Sequence, residues 1–101
     1  MTTGDKGMDY KSGTATVVHH HDEKLTLEQM QKLVGGYIEV HYLPTDKTNL
    51  VVNEDGKLYG LQPNETATEL LIDNYPHLQG VDYVVGDALI LHGKARIKTH
   101  A

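Results

Sequence analysis

The sequence of 101 residues contains no cysteine, no tryptophan and no phenylalanine, and its longest apolar run is the four residues from Ala88 to Leu91. Without cysteine the chain has no disulfide framework, no thiol nucleophile and no cysteine-ligated metal site. The apolar runs are far shorter than the ~20 residues that a membrane-spanning helix needs, and the polar N-terminal segment lacks the apolar core of a signal peptide. We therefore expect a soluble, cytoplasmic protein that has no membrane partner.

Basic residues are also few, since nine Lys and Arg stand against 14 Asp and Glu for a net charge of −5. Nucleic-acid binding needs a basic face that releases counterions from the phosphates. The bases cluster along the sequence in one place, at Lys94, Arg96 and Lys98. The composition therefore argues against a nucleic-acid partner, and a weak nucleic-acid site is predicted at these three residues if one exists.

The length is typical of one domain with a single core. Residues 1–13 combine glycines at positions 4, 7 and 13 with mostly polar side chains. Such a segment buries too little apolar surface to offset its ordering entropy. We predict a disordered N-terminal tail over residues 1–13, a single domain over residues 14–93, and a basic C-terminal tail over residues 94–101.

Two helices are signalled by their caps. Thr26 and Gln29 form a capping-box pattern, and the glycine pair at 35–36 accepts the left-handed conformation that ends a helix, which predicts a helix over 27–34. Asn64 is the expected N-cap of a second helix that stops within residues 73–76. A cap alone predicts a loss of about 1 kcal/mol for Asn64→Ala and a nearly neutral Asn64→Asp.

Five segments have the composition of strands: 14–21, 37–43, 50–52, 57–61 and 83–91, the last interrupted at Gly86 and Asp87. The Asp55-Gly56 pair suits a hairpin turn, so the three middle strands are expected to form a meander. Together these elements predict an α+β fold. The fold is a small single domain with a mainly antiparallel sheet of four to five strands and two short helices.

Four short motifs follow one another in a fixed order: GGYIEV at 35–40, VNEDGKL at 52–58, PNETAT at 63–68 and VGDALI at 85–90. This ordered set resembles the DUF3846 family, small proteins of unknown function from bacteria, phages and mobile elements, over roughly residues 14–93. The resemblance implies an origin in a phage or mobile element and a compact α+β domain. It carries no established activity, so no catalytic residue is transferred from it.

Two groups of polar residues are candidates for a ligand site. Asn53 and Glu54 precede a turn, while Asn64, Glu65 and Thr68 lie where the second helix begins. Exposed amides at a helix start hold anions, but turn formation and capping explain the same residue types. No nucleotide motif and no Gly-x-Ser-x-Gly elbow is present. We predict no catalytic residue, and the question of enzymatic activity stays open with a non-enzymatic role favoured.

Three consecutive histidines end the first predicted strand. On a strand His19 and His21 point to the same side, and His41 supplies a third ligand if the two strands pair. The alternative is a solvated strand end that takes up zinc or nickel adventitiously. Because no His-Glu-x-x-His spacing supports a site, we predict no physiological metal and no cofactor.

Three hypotheses about function come from different classes. The first is a small non-enzymatic accessory protein of a phage or mobile element that binds a host macromolecule, since the sequence has no nucleophile set, no metal motif and no cofactor loop, and the family resemblance implies such an origin. The second is a small-ligand or nucleotide-binding protein that uses the Asn53/Asn64 region. The third is a weak nucleic-acid binder through the basic C-terminal tail. The oligomeric state is left open.

Overall fold

The computed structural model describes residues 15–98, which contain two α-helices and four strands. In chain order these are β1 (Val17–His20), α1 (Leu27–Val34), β2 (Ile38–Leu43), β3 (Thr48–Asn53), α2 (Glu65–Asn74) and β4 (Ala88–Leu91). Short 3₁₀ turns lie at Pro76–Leu78 and Gly93–Ala95. The predicted disordered tail over residues 1–13 lies outside the described residues.

The four strands form one mixed sheet in the order β1-β4-β3-β2. β1 runs parallel to β4, with Val17 opposite Ala88, whereas β4 with β3 and β3 with β2 are antiparallel. The predicted α+β fold with two helices is confirmed, but the sheet is mixed rather than mainly antiparallel. The difference arises because β1 pairs with a strand some 70 residues away, and no local turn signal specifies such a parallel pair.

The predicted strand over 57–61 is wrong, because residues 54–60 form a series of turns. Asn53 Oδ1 accepts from the Asp55 amide at 2.8 Å, and the Leu61 amide donates to the Gly56 carbonyl at 3.0 Å. These local hydrogen bonds satisfy backbone amides and carbonyls of the segment, so it does not need to pair with another strand. The ladder positions beside β3 are also filled on both sides, by β2 and β4. The predicted three-strand meander therefore does not form.

The helices cover opposite faces of the sheet, and β3 and β4 are buried along their whole length. Alternate residues of a strand point to opposite faces, so each central strand supplies both cores. The first core packs α2 against the sheet, with Leu50, Val52, Ala67, Leu71, Ala88 and Ile90. The second packs α1 against the other face, with Met30, Val34, Val51, Leu89, Leu91 and Ala95. Burial on two faces explains why these strands read as continuous apolar runs.

The predicted interruption at Gly86 and Asp87 is present as a bend, and β4 begins directly after it at Ala88. Gly86 has φ +81°, and a Cβ added there would lie 2.7 Å from a methyl group of Leu61. Asp87 Oδ1 accepts from the amide of Thr16 at 3.0 Å and from its hydroxyl at 3.2 Å. The bend therefore anchors the start of β1. Within residues 15–98 there is no helix with the length and apolar content needed to cross a membrane.

Candidate functional site

The described residues form a groove of about 720 Å³, which we call the basic groove. The loop before α1, the β2–β3 turn and the segment 93–98 line it. Five bases contribute to its wall: Lys24, Lys47, Lys94, Arg96 and Lys98. They are five of the nine Lys and Arg in a chain of net charge −5, and no Asp or Glu of residues 15–98 lines the groove with them.

The end of α2 holds the turn that carries Lys47. Asn74 Oδ1 accepts from the amides of Thr45 at 2.8 Å and Asp46 at 3.3 Å, and its Nδ2 donates to the Asp46 carboxylate at 2.7 Å. Lys47 has a left-handed backbone with φ +56°. Asn74 thus binds the carboxylate of Asp46, the acidic neighbour of Lys47, while Lys47 itself lines the groove.

The basic segment at residues 94–98 lies against the domain. Ala95 is buried in the second core and Ile97 packs against it, while Lys94, Arg96 and Lys98 are exposed. The Ile97 amide donates to Asn49 Oδ1. The alternation of basic and apolar residues from 94 to 98 therefore turns Ala95 and Ile97 to the core and leaves the three basic side chains accessible.

Two hydrogen bonds link the bases of the groove to one another's backbone. Lys24 Nζ donates to the Arg96 carbonyl at 2.7 Å, and Arg96 Nη1 donates to the Lys47 carbonyl at 3.1 Å. Residues from three distant parts of the chain are therefore held together. Lys24 and Lys47 have no basic neighbour in the sequence, so no local pattern could have assigned them to this site.

Two tyrosines complete the groove. Tyr42 on β2 is exposed, and the Tyr75 hydroxyl donates to the Tyr42 backbone carbonyl. Tyr75 is half-buried and packs against the first core. The wall thus combines cationic side chains with an accessible aromatic ring, which suits an anion that also carries planar groups.

The residues predicted as a ligand site are divided between two smaller cavities. Asn53 and Glu54 line one of about 140 Å³, and Asn64, Glu65 and Thr68 line another of about 310 Å³. Their polar groups mostly serve the fold. Asn53 Nδ2 donates to the Val34 carbonyl at 3.2 Å, and the Thr68 hydroxyl accepts from the Val84 amide at 2.8 Å. Glu54 and Glu65 are exposed.

Asn64 is the most buried of these residues, with 0% of its surface exposed. Its Oδ1 accepts from the Ala67 amide at 3.0 Å, so the predicted N-cap is confirmed. Its Nδ2 donates to the carbonyls of Thr16 at 3.0 Å and Gly86 at 2.9 Å. The side chain therefore joins the start of α2 to β1 and to the bend before β4.

The smaller cavity beside Asn53 contains an ion pair between Lys57 and Asp82. The Lys57 ammonium also lies over the Tyr83 ring, 4.4 Å from its centroid. The hydrogen bond from Lys57 holds the pKa of the Asp82 carboxyl below its ordinary value of 3.8. This lysine is thus engaged outside the basic groove.

The three histidines considered as adventitious metal ligands do not come together, because His19 and His21 lie at the β1 edge of the sheet and His41 lies on β2 at the opposite edge. The neighbour of the first two is His92. Its Nε2 lies 2.9 Å from His19 Nδ1, and its ring stacks on His21 with centroids 4.1 Å apart.

Burial lowers the pKa of His92 below its ordinary 6.5, and charge on His21 and His19 lowers it further. Within residues 15–98 no group of three or more His, Asp or Glu side chains is arranged to hold a metal ion. His92 was missed because the parallel pairing of β1 with β4, which brings it to His19 and His21, has no local signature.

A family model, the domain of unknown function DUF3846, matches residues 6–99. The chain belongs to this family, which confirms the resemblance drawn from the four motifs. No curated protein and no solved structure matches the chain.

Proposed function

We propose that this protein is a non-enzymatic accessory protein of a phage or mobile element, and that it acts in the cytoplasm by binding an anionic macromolecule of the host in the basic groove. The observation that carries the proposal is the convergence of five of the nine bases on one groove in a chain of net charge −5. Clefts lined by one sign of charge focus the electrostatic potential and attract a partner of the opposite sign.

The form of the groove favours a macromolecule over a small ligand. All five basic side chains are exposed and are spread over three segments of the chain, so they match charges distributed along a partner. The small-ligand alternative receives less support, because the chain itself engages Asn64 and Asn53. The origin in a phage or mobile element is supported by the family resemblance, and the cytoplasmic location follows from it.

Heparin, a generic polyanion, tests the proposal on a salt-gradient column. We expect the protein to be retained in spite of its net negative charge, and Lys98→Glu to elute at lower salt. Lys32→Glu is the matched control, since Lys32 is exposed in the last turn of α1 and the change in net charge is the same. Passage of the unmodified protein without retention, or equal shifts for the two variants, would contradict the proposal.

A further inference from the structure

We infer that the macromolecule in the basic groove is a single-stranded nucleic acid, whose phosphates contact the bases and one of whose nucleobases stacks on Tyr42. This inference rests on the proposed function and names the partner class of the same groove. The composition argues against nucleic acid, but a phosphate backbone responds to the local charge of the surface it contacts. That local charge is positive here, since the described lining contains five bases and no acid.

The basic residues lie close enough together to contact one phosphate backbone. Lys24 is bonded to the Arg96 backbone and Arg96 to the Lys47 backbone, so these three residues are neighbours in the groove wall. The backbone is extended at Arg96, with φ −63° and ψ 142°, and Lys98 follows two residues later. Residues two apart in extended chain lie about 6.6 Å apart, which is close to the separation of successive phosphates along an extended single strand.

The aromatic ring distinguishes a single strand from an acidic protein. Tyr42 is 39% exposed and lies on the groove wall, and the Tyr75 hydroxyl holds its backbone in place. Unpaired bases stack on exposed aromatic rings regardless of their sequence. Carboxylates of an acidic peptide would use the lysines and leave the ring without a partner.

The shape of the groove distinguishes a single strand from a duplex. The side chains of Pro44, which is exposed, and Ile97, which is half-buried, share the lining with the basic residues, and they give unpaired nucleobases an apolar surface to cover. Proteins read a duplex by inserting a helix or a two-stranded ribbon into its major groove. The basic groove is concave, and its walls include turns and an extended segment. It can therefore accommodate a single strand, whereas binding in the major groove of a duplex needs a protruding element.

Fluorescence anisotropy with a labelled oligothymidylate of about 12 nucleotides measures the binding. Each phosphate contact contributes roughly −0.7 to the slope of log K against log salt for single strands. Five contacts predict a slope near −3.5, which is a loss of about 100-fold between roughly 50 and 200 mM salt. Lys98→Gln should make the slope less negative by about 0.7, while Lys32→Gln should leave it unchanged.

Tyr42 provides the test of stacking. Tyr42→Leu removes the ring but keeps an apolar side chain on the strand, and we expect a roughly tenfold loss of affinity with an unchanged salt slope. Tyr42→Phe keeps the ring and should bind like the unmodified protein. Circular dichroism checks that both variants fold. Equal affinities for the two variants would overturn the inference.

Two competitor probes separate the inference from the proposed function. If polyglutamate binds in the groove and the oligothymidylate does not, the polyanion proposal stands and the partner is an acidic protein. If the oligonucleotide and its duplex with oligoadenylate bind equally, the single-strand inference is overturned. If no polyanion binds, both fail. Preference for the single strand over the duplex and polyglutamate, lost with Tyr42→Leu, is the supporting result.

Discussion

Replacing Asn64 tests how α2 is joined to the rest of the fold. This fully buried side chain makes three hydrogen bonds: it accepts from the Ala67 amide and donates to the carbonyls of Thr16 and Gly86. Asn64→Ala removes the side-chain partner of the Ala67 amide and of the Gly86 carbonyl, while the Thr16 carbonyl keeps its bond from the Ala88 amide at 2.9 Å. Loss of the cap costs about 1 kcal/mol, and the buried Gly86 carbonyl that loses its donor adds about 1 kcal/mol. We expect a total of about 2 kcal/mol, above the value predicted from capping alone.

Asn64→Asp separates this account from simple capping. A cap by itself tolerates aspartate, because the carboxylate still accepts from the helix amide. In the structure one carboxylate oxygen would instead face the carbonyls of Thr16 and Gly86, which only a donor satisfies. We therefore expect Asn64→Asp to be at least as destabilising as alanine at neutral pH, which contradicts the nearly neutral effect predicted from the sequence.

Urea midpoints at constant m-value measure both changes. Thr66→Ala is the control, since Thr66 is exposed in the first turn of the same helix, and surface substitutions of this kind stay within about 0.5 kcal/mol. A neutral Asn64→Asp, or a loss below about 1 kcal/mol for Asn64→Ala, would refute the reasoning.

Three further predictions concern the bend before β4 and two titrating groups. Gly86→Ala should cost roughly 1 kcal/mol more than Gly80→Ala in chemical denaturation, because both have positive φ but only Gly86 is crowded, by Leu61; equal costs would contradict this. Asp82 has a lowered pKa, so its contribution to stability is present above about pH 4 and is lost as the pH falls through its folded pKa. Asp82→Asn should therefore flatten the acid limb of the Tm profile, and an unchanged limb would argue against the ion pair. His92 also has a lowered pKa, so its stabilisation is present above pH 6.5 and is lost on acidification. His92→Gln should reduce the fall in Tm just below pH 6.5. If the Tm profile of the variant runs parallel to that of the unmodified protein, protonation of His92 does not cause the fall.

The local elements were predictable because their signals span only a few residues. The Thr26–Gln29 capping box is formed as expected, with Gly35 in the left-handed conformation at the C-cap, and α1 has the predicted bounds Leu27–Val34. The cap at Asn64 is also present. Each of these interactions joins backbone and side-chain groups within about one turn, so the residues that make them are adjacent in the sequence.

The pairing of strands was predicted less well. The segment at 57–61 has strand composition, but β3 already pairs with β2 and β4, and the backbone amides of the segment are satisfied in turns. Composition describes the faces of a strand and does not identify its neighbours. The parallel pairing of β1 with β4 depends on the path of the intervening helices and strands, so it could not be read from either segment.

The sequence by itself determined the α+β class, both helices with their caps, and the bend at Gly86, because short-range hydrogen bonds and backbone preferences decide these features. The sequence also clusters three basic residues of the candidate site, Lys94, Arg96 and Lys98, but only the tertiary structure decided that Lys24 and Lys47 join them. Burial of β3 and β4 on both faces requires α1 and α2 on opposite sides of the sheet. That packing brings Lys24, Lys47 and the segment 94–98 to one groove, where bases that are dispersed along an acidic chain become a single positive surface.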